Sequence, residues 1–264
     1  MPRETLLTTA QARYAKPLSS LSLAPGAVLF CDFDGPFVDV SQRYYSTYQL
    51  GLADTQAAYQ AKGITLPICP LSKAQFWRLK QNRTADEVIA HWSGLENEQI
   101  PFFLERVQQI VNQPALLHQD SLQTGLHHAV HLLKHYGIRL VVVTLRHSAQ
   151  VMQILHDAKL AQSISEVYGT SEAEMAYANR SEHKTALLEQ AIAEQNTLPY
   201  QTCMIGDTEA DLIAGQTLGV PTVALTCGIR SQSYLQAFNP TCLYPNLLSA
   251  VEQLLCPHET LQPA

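Results

Sequence analysis

The chain has 264 residues, 46% of them hydrophobic and 15% charged, with a formal net charge of −6. That is a globular composition, long enough for one large domain or for a core that carries an inserted subdomain. No basic stripe runs through it, which argues against nucleic acid as a partner, and no apolar run reaches about 18 residues, which argues against a membrane span.

Along the chain, the first twenty residues lack the apolar core of a signal peptide. Glu4 among Arg3, Arg13 and Lys16 speaks against a transit peptide. The six cysteines (Cys31, Cys69, Cys203, Cys227, Cys242 and Cys256) form no Cys-x-x-Cys pair. Cys31 and Cys203 fall in apolar runs, where a thiol behaves as a small hydrophobe. The expectation is a cytoplasmic protein with reduced thiols.

Residues 1–26 read as an N-terminal extension ending in the loop-like SSLSLAPG. AVLFCDFD reads as a central parallel strand, buried on both faces. From Ser41 to about Asp120 the pattern turns helical, with Ser41 as a candidate cap for a helix carrying Tyr44, Tyr45 and Tyr48. SKAQFWRLKQ, TADEVIAHW and NEQIPFFLERVQQIVNQ continue as helices, punctuated by Pro67, Pro70, Pro101 and Pro114, and no strand is expected among them. After that, helices and strands alternate. SLQTGLHHAVHLLKHYG is a helix closed by Gly137, IRLVVVT a strand, SAQVMQILHDAKL a helix and SEVYGT a short strand. KTALLEQAIAEQ is a helix, YQTCMIGD a strand, EADLIAGQTLG a helix and VPTVALT a strand, with TCLYP and LLSAVEQLL completing the series. The alternation predicts an α/β fold: a three-layer, Rossmann-like core with a mostly parallel sheet, formed by residues 27–40 and 121–264. Residues 41–120 read as a helical cap inserted between the first and second strands of that sheet.

In open parallel sheets, ligands bind beyond the carboxyl ends of the strands. The first strand here ends at Asp32 and Asp34, the second at Thr144, and a later one at Asp207, with Asp211 one helical turn on. Carboxylates converging on one dry spot raise each other's pKa. A hard divalent cation relieves that conflict, and Mg²⁺ prefers oxygen ligands while keeping waters and a substrate phosphate in its shell. Thr208 and Asp211 also fit the capping pattern of a helix start, so Asp211 reads equally as a cap and as a ligand. Lys184 falls near a helix start, where the dipole disfavours a cation by about 0.3–1 kcal/mol. A neighbouring anion would give it a reason to be there.

DFDGP, Thr144, Lys184 and GDTEAD together resemble, in order and spacing, the four motifs of the haloacid dehalogenase superfamily. The resemblance spans about residues 27–251, and the helical insert is similar to the cap of its phosphoglycolate-phosphatase-like members. It implies a Mg²⁺-dependent phosphatase acting on a small phosphorylated metabolite. By the same resemblance Asp32 is the nucleophile that becomes an aspartyl-phosphate, and Asp34 is the acid for the leaving alcohol and then the base for water. Thr144 and the backbone N–H groups near Phe33, Asp34 and Leu145 would bind the transferring phosphoryl. Lys184 would neutralise it, and Asp32, the Asp34 carbonyl and Asp207 would hold Mg²⁺ with Asp211 in support.

Several features admit a plainer account. Asp34-Gly35 is a common turn pair. His127, His131 and His135 recur at helical spacing, but beside a buried stripe of Leu126, Val130 and Leu133, so they read as solvated imidazoles rather than metal ligands. Phe76, Trp77, Phe102 and Phe103 read as cap core. Arg43, Arg78, Lys80, Arg83 and Arg146 are either a solvated face or cations around an anionic substrate; Arg43, Arg78 and Arg146 are taken as candidate substrate contacts. Asp39 is assigned no chemistry. A dehalogenase does not need an acid at Asp34, whereas a phosphomutase shares all four motifs. A non-catalytic binding protein on the same fold would be expected to have lost one of the four key residues, and none is lost. Pro36 departs from the family pattern, which has Thr or Val there, and fixes φ next to the cap hinge.

Overall fold

A computed structural model describes residues 21–171 and 179–255. Most of the extension, residues 1–20, lies outside them. β1 (Val28–Cys31) is completely buried and sits in the middle of a six-stranded sheet of order β5-β4-β1-β6-β7-β8. Its partners are β4 (Arg139–His147), β5 (Glu166–Thr170), β6 (Thr202–Gly206), β7 (Thr222–Leu225) and β8 (Cys242–Tyr244). Every pairing in this sheet is parallel. The chain builds outward from β1 to β4 and β5, then returns to the other side of β1 as β6. That reversal places the topological switch point at the carboxyl end of β1.

Alternation along the strands supplies two apolar faces. Leu29 and Cys31 of β1 join Leu140, Val142, Cys203 and Ile205 under α6 (Leu126–His135), α7 (Ser148–Asp157) and α11 (Leu247–Leu255). Val28 and Phe30 join Val141, Val143 and Met204 under α8 (Ser181–Glu194) and α9 (Glu209–Thr217). The result is the three-layer α/β architecture expected from the alternating pattern.

Between β1 and β4 the chain forms α1 (Ser41–Gln60), α2 (Lys73–Gln81), α3 (Asp86–Trp92), α4 (Gln99–Val111) and the short α5 (Pro114–Leu117). These helices enclose an apolar cluster of their own, which includes Tyr48, Leu52, Phe76, Ile89, Phe103 and Val107. The connections into and out of this segment pair as a two-stranded antiparallel ribbon, β2 (Val38–Asp39) with β3 (Ser121–Leu122).

Three local expectations change. SLQTG is not helical: Ser121 and Leu122 form β3, and the helix starts at Leu126 after Gly125, whose φ of 81° only glycine adopts freely. Ser41 does not cap α1, because it is already the first helical residue and the Asp39 carboxylate accepts its N–H at 2.8 Å. A short α10 (Gln232–Gln236), capped by Ser231, lies between β7 and β8, where no element was predicted. Among the described residues no helix is long and apolar enough to cross a membrane, and the five described cysteines are free thiols.

Candidate active site

The ladder of β1 continues one residue past the strand, since Asp32 N–H donates to Ile205 O at 2.9 Å. The chain then turns sharply. Gly35 N–H donates to Val38 O, Phe37 N–H donates to Phe33 O, and Gly35 has φ 93°. A Cβ on Gly35 or on Gly228 would run into the Asp207 carboxylate. Glycine is therefore required at both places for the chain after β1 and the chain after β7 to close on Asp207 at the end of β6. Pro36 is buried in this turn, whose hydrogen bonds come from its neighbours, so the missing N–H costs the turn nothing visible.

Asp32, Asp207 and Asp211 bring one carboxylate oxygen each to within 4.8 Å of one another, all buried. Lys184, in the first turn of α8 and 1% exposed, lies 2.8 Å from both Asp32 Oδ1 and Asp211 Oδ1. Burial, then the Asp211 charge, pushes the Asp32 carboxyl up to about 7 against the pull of Lys184. Burial disfavours charge on Lys184 too, but Asp211 and Asp32 outweigh it and raise its pKa. Asp207 is raised well above the usual carboxylate range by burial and by Asp32 and Asp211. Its Oδ2 accepts the Ile229 N–H at 2.7 Å, whereas its Oδ1 is buried with no hydrogen-bond partner. Asp211 is both a cap and a member of this cluster: Oδ2 accepts the N–H and hydroxyl of Thr208 at 3.1 and 2.8 Å, while Oδ1 faces Lys184. An all-oxygen set with an orphaned buried carboxylate oxygen fits a hard divalent cation.

Asp34 stands apart from that cluster. Its Oδ2 accepts from Arg43 Nη2 at 2.8 Å and its Oδ1 from Arg146 Nη1 at 2.9 Å. Burial would raise its pKa, but Arg146 and Arg43 override burial and hold the carboxyl below its ordinary range. Thr144 Oγ1 accepts the Arg146 N–H at 3.2 Å, which leaves the hydroxyl proton to donate elsewhere. Phe33 N–H donates to Asp32 Oδ1 at 2.7 Å, and Leu145 lines the cavity.

One cavity joins these groups: Asp32, Asp34, Thr144, Arg146, Lys184 and Asp207 line it from the sheet, and Tyr44, Lys80, Arg83 and Asp86 from the helical segment. Arg43 is buried behind Asp34 rather than on the cavity wall. Arg78 is exposed and away from the cavity; Lys80 takes the place expected of it. On α2, Phe76 and Lys80 share the inward face four residues apart, while Arg78 is turned about 200° from either. Lys80 Nζ lies 2.7 Å from Asp86 Oδ1, and burial lowers its pKa although Asp86 opposes this. Sequence reasoning missed Asp120 and Arg230. Arg230 pairs with Glu209 at 2.7 Å and donates to the Lys80 carbonyl at 3.3 Å. Its only sequence signal is a cation shortly after a parallel strand. His127, His131 and His135 are exposed on α6 and outside the cavity; His127 Nε2 lies 3.0 Å from the Ala158 carbonyl oxygen, and the His131 and His135 rings stack.

The ends of three neighbouring parallel strands, with Asp32, Thr144 and Asp207, and Lys184 of α8 converge on one acidic cavity, which is a hydrolase site on a Rossmann-like α/β fold. The chain belongs to the haloacid dehalogenase-like hydrolases: the family model matches residues 28–225. It is 28% identical over 126 residues to pyrophosphatase PpaX of Bacillus mycoides, covering 47% of this chain and 56% of that protein. Against pyrophosphatase PpaX of Bacillus cereus it is 22% identical over 214 residues, 81% of this chain and 88% of the relative. The fold is similar to that of a predicted phosphoglycolate phosphatase from Haemophilus somnus, with a TM-score of 0.62, 18% identity, and coverage of 86% and 96% of the two chains.

Proposed function

We propose that this hydrolase is a Mg²⁺-dependent phosphatase that cleaves a small phosphorylated metabolite through an aspartyl-phosphate on Asp32. The observation that carries this reading is Asp32 itself, at the end of the central strand, with Lys184 2.8 Å away and two further carboxylates beside it. Asp32 Oδ1 is held by Lys184 and by the Phe33 N–H, so Oδ2 is assigned to attack phosphorus. Thr144 donates its hydroxyl to a phosphoryl oxygen, and Lys184 offsets negative charge on the phosphoryl and the nucleophile. Asp32, Asp207 and the Asp34 carbonyl would hold Mg²⁺, with Asp211 fixing Lys184 beside them. Bound there, Mg²⁺ supplies positive charge against the phosphoryl oxygens. Asp34 assists the leaving group and then takes a proton from the hydrolytic water.

Residues 41–120 act as the cap over a core of 27–40 and 121–264. Supporting this, the end of α2 meets the core directly: Ser231 N–H donates to Gln81 O at 2.8 Å, and Arg83 pairs with Glu209 at 3.0 Å. Closure there excludes water from the cavity.

A second substrate class is favoured by the two arginines on Asp34. A carboxylate held ionised is a poor proton donor, which suits a leaving group that needs no proton, such as a phosphoanhydride. Two relatives bearing the name pyrophosphatase point the same way. The test is a screen of phosphomonoesters and inorganic pyrophosphate with Mg²⁺ and then with chelator. Chelator-sensitive turnover of at least one compound supports the reading. Turnover indifferent to chelator and to Asp32→Asn contradicts it.

A further inference from the structure

Asp120 closes the last turn before β3; its side chain is 1% exposed and does not line the cavity. Its Oδ1 accepts from Arg43 Nε at 2.8 Å and its Oδ2 from Arg146 Nη1 at 2.7 Å. The same two guanidiniums hold the two oxygens of Asp34. Two carboxylates and two guanidiniums thus form a closed ring, with Asp34 on one side and Asp120 on the other. Arg43 is fixed further by the Val111 carbonyl at 3.0 Å and the Asn112 amide oxygen at 3.1 Å.

The ring members come from different parts of the chain. Asp34 follows β1 and Arg146 lies on β4, both in the sheet. Arg43 is in the first turn of α1, and Asp120 is the residue before β3. The last two flank the connections into and out of the helical segment, which run side by side as β2 and β3. The ring therefore spans the junction between the helical segment and the sheet, and Asp34 and Arg146 are its members on the cavity.

We propose that Asp120 is a positioning residue: it holds Arg43 and Arg146 against Asp34 and so fixes the orientation of the Asp34 carboxylate over the leaving group. This rests on the phosphatase reading above. Without the Asp120 charge, two buried guanidiniums face a single carboxylate and repel each other. The grip on each Asp34 oxygen loosens, and the carboxylate is free to turn away from its productive direction. Asp120 does not line the cavity, so its effect passes through Arg43 and Arg146 to Asp34.

The experiment is a double-mutant cycle of Asp120→Asn and Asp34→Asn, with kcat and KM measured on one alkyl and one aryl phosphate with Mg²⁺. Asp120→Glu, which keeps the charge but displaces it, stands in if Asp120→Asn fails to fold. Substitution of Asp120 should lower kcat on the alkyl ester about tenfold or more beyond any loss on the aryl ester, with KM little changed. In the Asp34→Asn background that selective loss should vanish. Equal losses on both esters, or an undiminished loss in the Asp34→Asn background, would overturn the proposal. Hydrogen exchange of residues 34–40 separates this outcome from failure of the phosphatase reading. If wild type hydrolyses neither ester nor any other compound of the phosphomonoester and pyrophosphate screen, that reading falls, and unchanged exchange in Asp120→Asn overturns the ring as a positioning device while faster exchange upholds it.

Discussion

Two charged clusters meet two residues apart, at Asp32 and Asp34, and they are built differently. In the floor, three carboxylates (Asp32, Asp207 and Asp211) face the single ammonium of Lys184. At the junction, Asp34 and Asp120 face Arg43 and Arg146, one guanidinium for each carboxylate. The charges of the floor are incomplete: the Asp32 carboxyl is pushed to about 7 and an Asp207 oxygen is orphaned. In the junction both oxygens of each carboxylate are paired, although Arg146 Nη2 is buried without a hydrogen-bond partner, and the Asp34 carboxyl is held below its ordinary range. Asp32 and Asp34 shift in opposite directions because Asp32 shares one ammonium with Asp211, whereas Asp34 has two guanidiniums and a more exposed side chain, 24% against 10%; within the junction, burial still raises Asp120. The floor is suited to take up a metal ion and a phosphoryl group; the junction is suited to hold one carboxylate still.

The largest effect that separates the two is expected at the nucleophile. Asp32→Asn should fold and lower phosphatase turnover by roughly a thousandfold or more, a barrier increase of about 4 kcal/mol. Steady-state kinetics with Mg²⁺ checks it, and activity within tenfold of wild type would remove Asp32 from the chemistry. Lys184→Met tests the floor as a charge cluster. It leaves Asp32 and Asp211 buried without their cation, so stability should fall by about 3–5 kcal/mol in metal-free denaturant unfolding. A loss under about 1 kcal/mol, the usual worth of an exposed pair, would mean that the floor is better solvated than its burial indicates.

Metal and pH sharpen the same contrast. The folded pKa of Asp32, about 7, lies well above the ordinary aspartate value of about 3.8. Its contribution to stability is therefore present at low pH and is lost as pH rises through about 7; Asp207, also raised, acts in the same direction. A divalent cation needs these carboxylates ionised, so it should bind more tightly as pH rises. Thermal unfolding with and without Mg²⁺ should show a larger stabilisation at pH 8 than at pH 5. A shift independent of pH would place the ion outside the floor. The smallest effect is expected at Pro36. Pro36→Thr alters neither cluster, and kcat should stay within about tenfold of wild type, with stability lower by a few tenths of a kcal/mol. A gain of a hundredfold would instead show that proline restrains Asp34.

The floor was legible in the sequence; of the junction, Asp34, Arg43 and Arg146 were named as site residues, but Asp120 and the ring they form were not. Asp32, Thr144 and Asp207 each sit at a strand end, so local periodicity combined with parallel-sheet topology placed them at one edge of the sheet, and Lys184 joined them through the resemblance to the four family motifs. Asp120 meets Arg43 across 77 positions and Arg146 meets Asp34 across 112, at the junction of the helical segment with the sheet. No short-range pattern encodes such a meeting. Arg78 was preferred over Lys80 because both are cations on one helix, and only packing around Phe76 decides which faces inward. The SLQTG stretch was read as helix because β3 is two residues long and exists only through its pairing with β2.

The most direct test of the central claim is chemical trapping of the phosphorylated carboxylate. Acid-quenched turnover mixtures would be reduced with borohydride, which converts an acyl phosphate to the alcohol, and residue 32 read by peptide mass spectrometry. Conversion of Asp32 to homoserine, dependent on substrate and Mg²⁺ and absent in Lys184→Met, is the predicted result. Conversion at Asp34, Asp207 or Asp211 instead, or none at residue 32 during active turnover, would contradict the assignment of the floor as the reacting half of the site.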